Sequence, residues 1–549
     1  MGEGGVELQL KDYPLQKCSI DSTQILKVSR STIFCTLTVL LCAVLFLPFL
    51  GYSGLSQSEG HRAVPGWEML GRGEAFPTTL FGYPYVRKPP GMPWAIALVS
   101  WALGQTEFAA RLVSVLATAG GALLSAWAAS RWFGERAALV AGAGYALMPV
   151  FWYPARSAEI EALHNSVTLA ACLGVVAIVR HAARGSTHSQ SKIIDLVISL
   201  CTGLAMAAMI IAKGPAGVPV VVGVGLCAVV IMRRSHSVKS SAGGEGGALV
   251  TTAGRILFGL TPGVMLCAVL TTGAAWRTMV TLEGLPPPII EQPSHFLWNI
   301  RNLGMILSLP LAAWVSGLPL SIAYIMFWRL PPLRSTFADA TARSLAWGLL
   351  SAIVIYTMVG IGNDRYAMPA LTLCPLVVSA AYVRVASGLG ANFSKERRWK
   401  KNLRTWGVAL VVAAYVHHVY LDYRREVRTS GRPQGVHLAA LIPDGATVYA
   451  FELIDQRPEV CWYLETTART LGKSIDCKWI PYPAVLGGQG PPTLPPAGNY
   501  VLMRTDNRPR DQYPPEQREY ERYNIMSKLQ RVESGKVHNF EYTLYLVLP

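Results

Sequence analysis

The sequence predicts an all-α polytopic membrane protein that ends in a small α/β domain. Three observations carry this. Residues of the apolar set AVILMFWYC fill 51% of the 549 positions and charged residues only 15%, with a mean hydropathy of +0.32, whereas soluble domains are ~25% charged. The apolar residues gather into runs of about 20, the length a helix rising ~1.5 Å per residue needs to cross ~30 Å of hydrocarbon. The intervening loops alternate between strongly basic and cation-poor, as in a chain threaded with its basic loops in the cytoplasm. An ordinary soluble enzyme is excluded. The net charge of +16 belongs to those loops, so no nucleic-acid partner is expected.

Residues 1–30 read as a cytoplasmic lead. The first apolar run, 31–52, leads into GYSGLSQSEG without a small-residue cleavage site, so it is a retained signal anchor. Ten further spans lie near 107–130, 137–153, 161–179, 193–212, 215–232, 256–275, 303–328, 344–361, 367–385 and 404–421; the stretch 303–328 is long enough for two short helices. With the N-terminus in the cytoplasm, the loops RWFGER, RHAARGSTHSQSK, MRRSHSVKSS with Arg255, RLPPLRSTFADATAR and SKERRWKKNLR all fall inside. The stretch PPGMPWAIALVSWALG at 89–104 is short and Pro-bounded, so it reads as an interfacial helix within a long first external loop, 53–106.

The transmembrane domain therefore covers 31–421, and 422–549 is an extracytoplasmic domain of different composition. A helical piece and the Pro-rich GGQGPPTLPPAGNY precede the strand-like runs YVLM and EYTLYLVLP. The 10 cysteines show no metal spacing, and Cys461 and Cys477 in this tail are the two that could pair.

Topology also sorts the unusual polar residues. Glu59, Arg62, Arg87, Lys88, Glu159, Glu161, Lys213, Asp364 and Arg365 all fall at external ends of spans or in external loops. Ionisable groups at membrane depth are costly and point to function when they converge. A single cation there is otherwise a snorkelling anchor. Arg and Lys suit a lipid phosphate through charge-assisted hydrogen bonds, and a neighbouring carboxylate suits a general base.

The string SEGHRAVPGWEMLGRGEAFPTTLFGYPYVRKPPGMPWAIALVSWALGQTEFAARLVSVLATAGG, followed in order by RSAEIEAL, AKGPAG and DRYAMPAL, resembles the aminoarabinose transferase and protein O-mannosyltransferase family over roughly residues 30–390. The resemblance implies a GT-C fold with about 11 to 13 transmembrane helices and transfer of a sugar from a polyprenyl phosphate. Glu59 matches the family's first-loop acid, a catalytic base or its orienting partner, and Arg62 the Arg three residues on, on the same helical face. Lys88 matches the lysine assigned to the lipid phosphate, with Arg87 as a second cation. Glu161 matches the second acidic position, with Glu159 beside it. Lys213 matches the KGP lysine, and Arg365 with Tyr366 the late RY pair, with Asp364 beside them in the substrate region.

Gly60 and His61 depart from the family pattern, and Pro65 is expected to interrupt the helix that follows. Arg87 replaces an acidic residue, which removes a carboxylate ligand, so no metal or other cofactor is carried over. His295, a lone loop histidine, is the remaining ligand candidate.

The implied reaction is inverting. Glu59 or Glu161 deprotonates the acceptor, and Arg62, Lys88 and Arg365 hold the leaving phosphate. The implied partners are a polyprenyl-phosphate-linked donor, a lipid, protein or glycan acceptor, and the lipids of the inner (plasma) membrane. A secondary transporter would instead show mid-membrane charges and two similar halves. A polysaccharide ligase or flippase would lack the acid-xx-Arg and RKPP pair. Reporter fusions at positions 395 and 440 should give opposite signals, cytoplasmic and external; equal signals would overturn the span count.

Overall fold

The computed structural model describes residues 30–85, 88–183, 189–237, 245–272, 339–358, 364–389, 393–450, 453–454, 457–479, 494–505, 521, 524–537 and 540–549. The expected span 303–328, Arg87 and His295 lie outside the described residues.

A helical body contains α1 (Arg30–Phe46), α4 (Glu107–Phe133), α5 (Glu135–Ala146), α6 (Pro149–Ala155), α7 (Ile160–Ala183), α8 (Ser189–Lys213), α9 (Val218–Ser237), α10 (Glu245–Thr272), α11 (Ala340–Met358), α12 (Met368–Leu371), α13 (Cys374–Leu389) and α14 (Phe393–Arg424). Helices α2 (Gly60–Arg72) and α3 (Gly91–Leu103) lie between α1 and α4. Among the described residues four helical runs are long and apolar enough to cross a membrane: α4, α7, Ile193–Met232 and Met368–Ser387. Helices α5 and α6 make a fifth if counted together, although they are bent by 62° where Pro149 opens α6. Helix α3, at 13 residues, is too short to cross and exposes Leu98 and Trp101.

Lipid tails are as apolar as leucine, so helices in a bilayer associate by close packing of small residues. The body follows that rule. Ala122 and Ala126 of α4 and Ala138 and Ala141 of α5 are buried, while Leu116, Leu123 and Trp127 of α4 face outward. Where α8 crosses α10 the backbones approach so closely that a Cβ at Gly203 would overlap the Gly263 carbonyl.

Helix α2 runs unbroken through Pro65, which corrects the expected interruption. Proline leaves the carbonyl four residues earlier without its helical donor. That carbonyl, on His61, instead accepts from Arg62 Nη1 at 3.3 Å.

The tail begins with a π-helical turn (Arg425–Thr429) and α15 (Arg432–Leu441). After a short hairpin of β1 (Thr79–Leu80) and β2 (Tyr83–Pro84) in the first loop, the remaining strands among the described residues belong to the tail: β3 (Thr447–Ala450), β4 (Asp476–Trp479), β5 (Tyr500–Arg504), β6 (Leu529–Val537) and β7 (Phe540–Val547). They form one sheet in the order β4-β3-β5-β7-β6. Strand β3 is parallel to β4 and β5, joined to β4 through α16 (Pro458–Thr470), while β7 is antiparallel to β5 and β6. Alternation sends Val448, Leu502 and Leu544 to the helix-covered face and Val501, Met503 and Tyr545 to the other.

Cys461 and Cys477 are both buried as free thiols, with the Cys477 thiol 3.8 Å from the Cys461 carbonyl, so the pairing open to them in the sequence is not formed.

The tail and the segment between α1 and α4 share one core. Leu55, Val64, Trp67 and Ile96 pack with Leu438, Val460 and Leu464. Trp67 and Trp462 lie with ring centroids 4.3 Å apart. Gly60 is required at this seam, because a Cβ there would sit 2.8 Å from Glu459 Oε2. Polar contacts reinforce it: Leu55 N donates to Tyr463 Oη (2.7 Å), Tyr463 Oη donates to Glu107 Oε1 (2.7 Å), and Arg432 Nη2 reaches the same oxygen at 2.6 Å. Replacing Trp462 by alanine should therefore destabilise the whole protein by roughly 3 kcal/mol, seen as a lower Tm in detergent. An unchanged Tm would mean that the tail folds apart from the loop.

Candidate active site

Two polar clusters lie at the end of the helical body that carries the tail. The inner one is closed. Glu59, at the end of a 3₁₀ turn (Gln57–Glu59), is fully buried. Its carboxylate is gripped by Arg111 of α4, with Nε to Oε1 at 2.9 Å and Nη2 to Oε2 at 3.0 Å. The remaining Arg111 donors go to the carbonyls of Leu50 (3.0 Å), Ser53 (2.7 Å) and Gly54 (2.8 Å), which saturates the guanidinium. Glu59 also accepts from Ser56 N and Ala158 N, each at 3.0 Å, and has Arg425 Nη2 at 3.8 Å.

Arg425 in turn donates to the Arg156 carbonyl at 2.8 Å and to Ser157 Oγ, and Arg156 Nη2 reaches Asp422 at 2.6 Å. Burial alone would raise the Glu59 pKa, but the charges of Arg111 and Arg425 and the hydrogen bonds override it and hold it at about 2.

The expected partnership of Glu59 with Arg62 is corrected by this geometry. Sequence spacing puts the two near each other, but the 3₁₀ turn aims the buried carboxylate at Arg111, 52 positions along the chain.

The outer cluster gathers five other expected residues. Glu161, in the first turn of α7, lies 3.1 Å from Lys213 Nζ at the last turn of α8, where helix dipoles favour both charges. Lys213 also sits 4.7 Å from the centroid of the Tyr366 ring, a cation–π contact. Arg365, in the 3₁₀ turn Asp364–Tyr366, spans both carboxylates, 3.8 Å from Glu159 Oε2 and 3.9 Å from Glu161 Oε1. Its side chain is 39% exposed, so the cluster opens there, whereas Glu159 and Glu161 are buried.

Glu159 accepts from Ser58 Oγ, and its pKa is raised by burial and then by the neighbouring Glu161 charge. Arg62 is buried with its charge felt at Glu159, and its Nε has no hydrogen-bond partner among the described residues. Lys88 is exposed just before α3, whose first residue Gly91 packs against Ile211 and Ala212 beside Lys213. Asp364 shares the turn with Arg365. Among the described residues no group of three or more His, Cys, Asp or Glu side chains is close enough to hold a metal.

Sequence reasoning missed Arg111, Arg156, Asp422 and Arg425. Arg111 was detectable, since past the opening Glu107 it is the one charge in the apolar run 107–130, where an ionisable residue requires a partner.

A family model described as dolichyl-phosphate-mannose-protein mannosyltransferase matches residues 87–253, which hold α3 through α9. An undecaprenyl phosphate-alpha-4-amino-4-deoxy-L-arabinose arabinosyl transferase of Pectobacterium atrosepticum is 38% identical over 112 residues, and its counterpart in Pectobacterium carotovorum 37% over 112. Each match covers 20% of this chain and 20% of the relative. The crystal structure of ArnT from Cupriavidus metallidurans bound to undecaprenyl phosphate superposes with a TM-score of 0.57 at 16% identity, over 94% of this chain and 98% of that one. Its apo form gives 0.56.

The molecule is thus a mostly helical protein with an ArnT-like fold and a small sheet. The sequence matches fall on the same aminoarabinose and mannosyltransferase type, with its GT-C fold, that the motifs resemble.

Replacing Glu59 by glutamine should leave Arg111 buried and unneutralised, lowering stability by about 3–5 kcal/mol. Glu541→Gln, which breaks an exposed pair with Lys536, should change it by less than ~1 kcal/mol. Because the Glu59 pKa is depressed from 4.5 to about 2, its contribution is complete above the ordinary carboxylate range and lost as pH falls through about 2. Equal Tm values for the two variants would remove this role.

Proposed function

We propose that this protein is a membrane glycosyltransferase that moves a sugar from a polyprenyl phosphate to a lipid, protein or glycan acceptor with inversion at the anomeric carbon. In this reading the chain crosses the inner membrane about 11 to 13 times, and the tail and both polar clusters face outside. The observation that carries it is the outer cluster: two carboxylates, Lys213 and Arg365 meet at an opening, with the Arg62 charge acting on Glu159. The matches to polyprenyl-phosphate-dependent transferases and the undecaprenyl phosphate in the ArnT crystal structure support the donor class.

Glu159 is the better placed base, because burial and the neighbouring Glu161 charge raise its proton affinity, whereas Glu161 is engaged by Lys213. The acceptor hydroxyl or amine gives its proton to Glu159 as its oxygen or nitrogen bonds to the anomeric carbon. The bond from that carbon to the phosphate oxygen breaks, and its electron pair leaves with polyprenyl phosphate. The charge gained there is held by Arg365, Arg62 and Lys88, fixed cations that need little reorganisation. Glu59 and Arg111 act as positioning residues, holding 156–159 from behind.

Purified protein in nanodiscs, given labelled undecaprenyl-phosphate sugars and an envelope extract, should yield a labelled product; no transfer from any donor would sink the reading. Lys88→Ala and Arg62→Ala should each lower turnover about 10- to 150-fold. The acid limb of kcat/KM should lie above the ordinary carboxylate range and vanish with Glu159→Gln. In Glu161→Gln the limb should move to lower pH, because removing the neighbouring negative charge makes Glu159 ionise more easily. An unmoved limb in both variants would take the base away from Glu159.

A further inference from the structure

Beneath the outer cluster, α7 continues from Glu161 into a polar stripe whose deeper members the reaction above does not use. Glu161, His164, Asn165 and Thr168 follow the i, i+3, i+4, i+7 spacing of one helical face. They descend from the opening into a helix otherwise apolar enough to span a membrane. His164 and Asn165 are each 1% exposed. Both ring nitrogens of His164 and both amide atoms of Asn165 lack hydrogen-bond partners among the described residues. Thr168, by contrast, returns its hydroxyl to the His164 carbonyl at 2.7 Å. A buried polar group left unpaired is destabilising, and four such atoms on consecutive residues beside a reactive cluster call for a ligand that pairs with them.

We infer that His164 and Asn165 form the subsite that reads the hydroxyl groups of the transferred sugar. This inference rests on the proposed glycosyl transfer and adds the residues that set its sugar specificity. The chemistry fits. A carboxamide offers a donor and an acceptor side by side, and a neutral imidazole one of each, the complement of adjacent ring hydroxyls. The position fits too. The stripe starts at Glu161, whose partners Lys213 and Arg365 border the phosphate region, so a sugar ring attached to that phosphate would lie one helical turn away, over His164 and Asn165. Apolar walls around a few placed polar groups are what gives a site selectivity among hydroxylated rings, because the wrong epimer leaves those groups unpaired.

The test uses the full chain in nanodiscs with His164→Phe and Asn165→Leu, which keep shape and remove the hydrogen-bonding atoms. The parent's kcat/KM is first ranked over undecaprenyl-phosphate sugars that differ by one hydroxyl. Each variant should lose roughly tenfold in kcat/KM for the preferred sugar and flatten the ranking, while undecaprenyl phosphate without a sugar binds within about twofold of the parent. If either variant fails to fold, His164→Gln or Asn165→Ser, which retain a polar group, should reorder the ranking rather than abolish transfer. A parent that transfers while the folded variants keep its ranking overturns this inference alone, and leaves His164 and Asn165 as sites of buried water. A parent that transfers no sugar overturns the glycosyl-transfer reading itself, and with it this subsite.

Discussion

The bidentate pair of Glu59 with Arg111 is the contact on which the rest of the site depends. A guanidinium and a carboxylate removed from water persist only if nearly every donor and acceptor is paired, and here they are. The unpaired alternative is so unfavourable that three stretches of chain are committed together: 50–54 through Arg111, Ser56 through the carboxylate, and Ala158 through its amide. Arg425, Arg156 and Asp422 extend the lock to the end of α14. Glu159 follows Ala158 directly, so the outer carboxylates stand where the inner pair puts them.

Two carboxylates of the same kind thereby acquire opposite characters. Glu59 meets two guanidinium groups and backbone donors, which hold it ionised. Glu159 meets burial and the negative charge of Glu161, which raise its proton affinity, while its cation, Arg365, stays partly in solvent at 3.8 Å. Environment alone separates a structural anion from a group suited to accept a proton. The distinction also explains why the first-loop acid needs no opening, whereas the second pair lies under one.

The tail does more than append a soluble unit. Its α16 covers α2, its Tyr463 and Arg432 converge on Glu107 at the start of α4, and its core runs without a break into the loop that carries Glu59 and Arg62. Displacing the tail would uncover Trp67 and Leu55 and loosen the first turn of the helix that supplies Arg111. The stability of the tail and the geometry of the site are therefore coupled through shared apolar contacts.

The sequence by itself determined the helical body, the short helix α3, the change of composition at the tail, and five residues of the outer cluster: Glu159, Glu161, Lys213, Arg365 and Tyr366. These were legible because span length and apolar periodicity are local properties, and because ionisable residues at the ends of apolar runs stand out in the sequence. Only the tertiary structure decided that Glu59 turns inward to Arg111, that α2 runs through Pro65, that Cys461 and Cys477 remain thiols, and that the tail shares a core with the first loop. Each of these depends on which of several distant partners a side chain meets. Arg62 and Arg111 are equally cationic in the sequence, and the local spacing favours Arg62. The choice falls to Arg111 because folding brings it, with five aligned donors, to the buried side of the 3₁₀ turn.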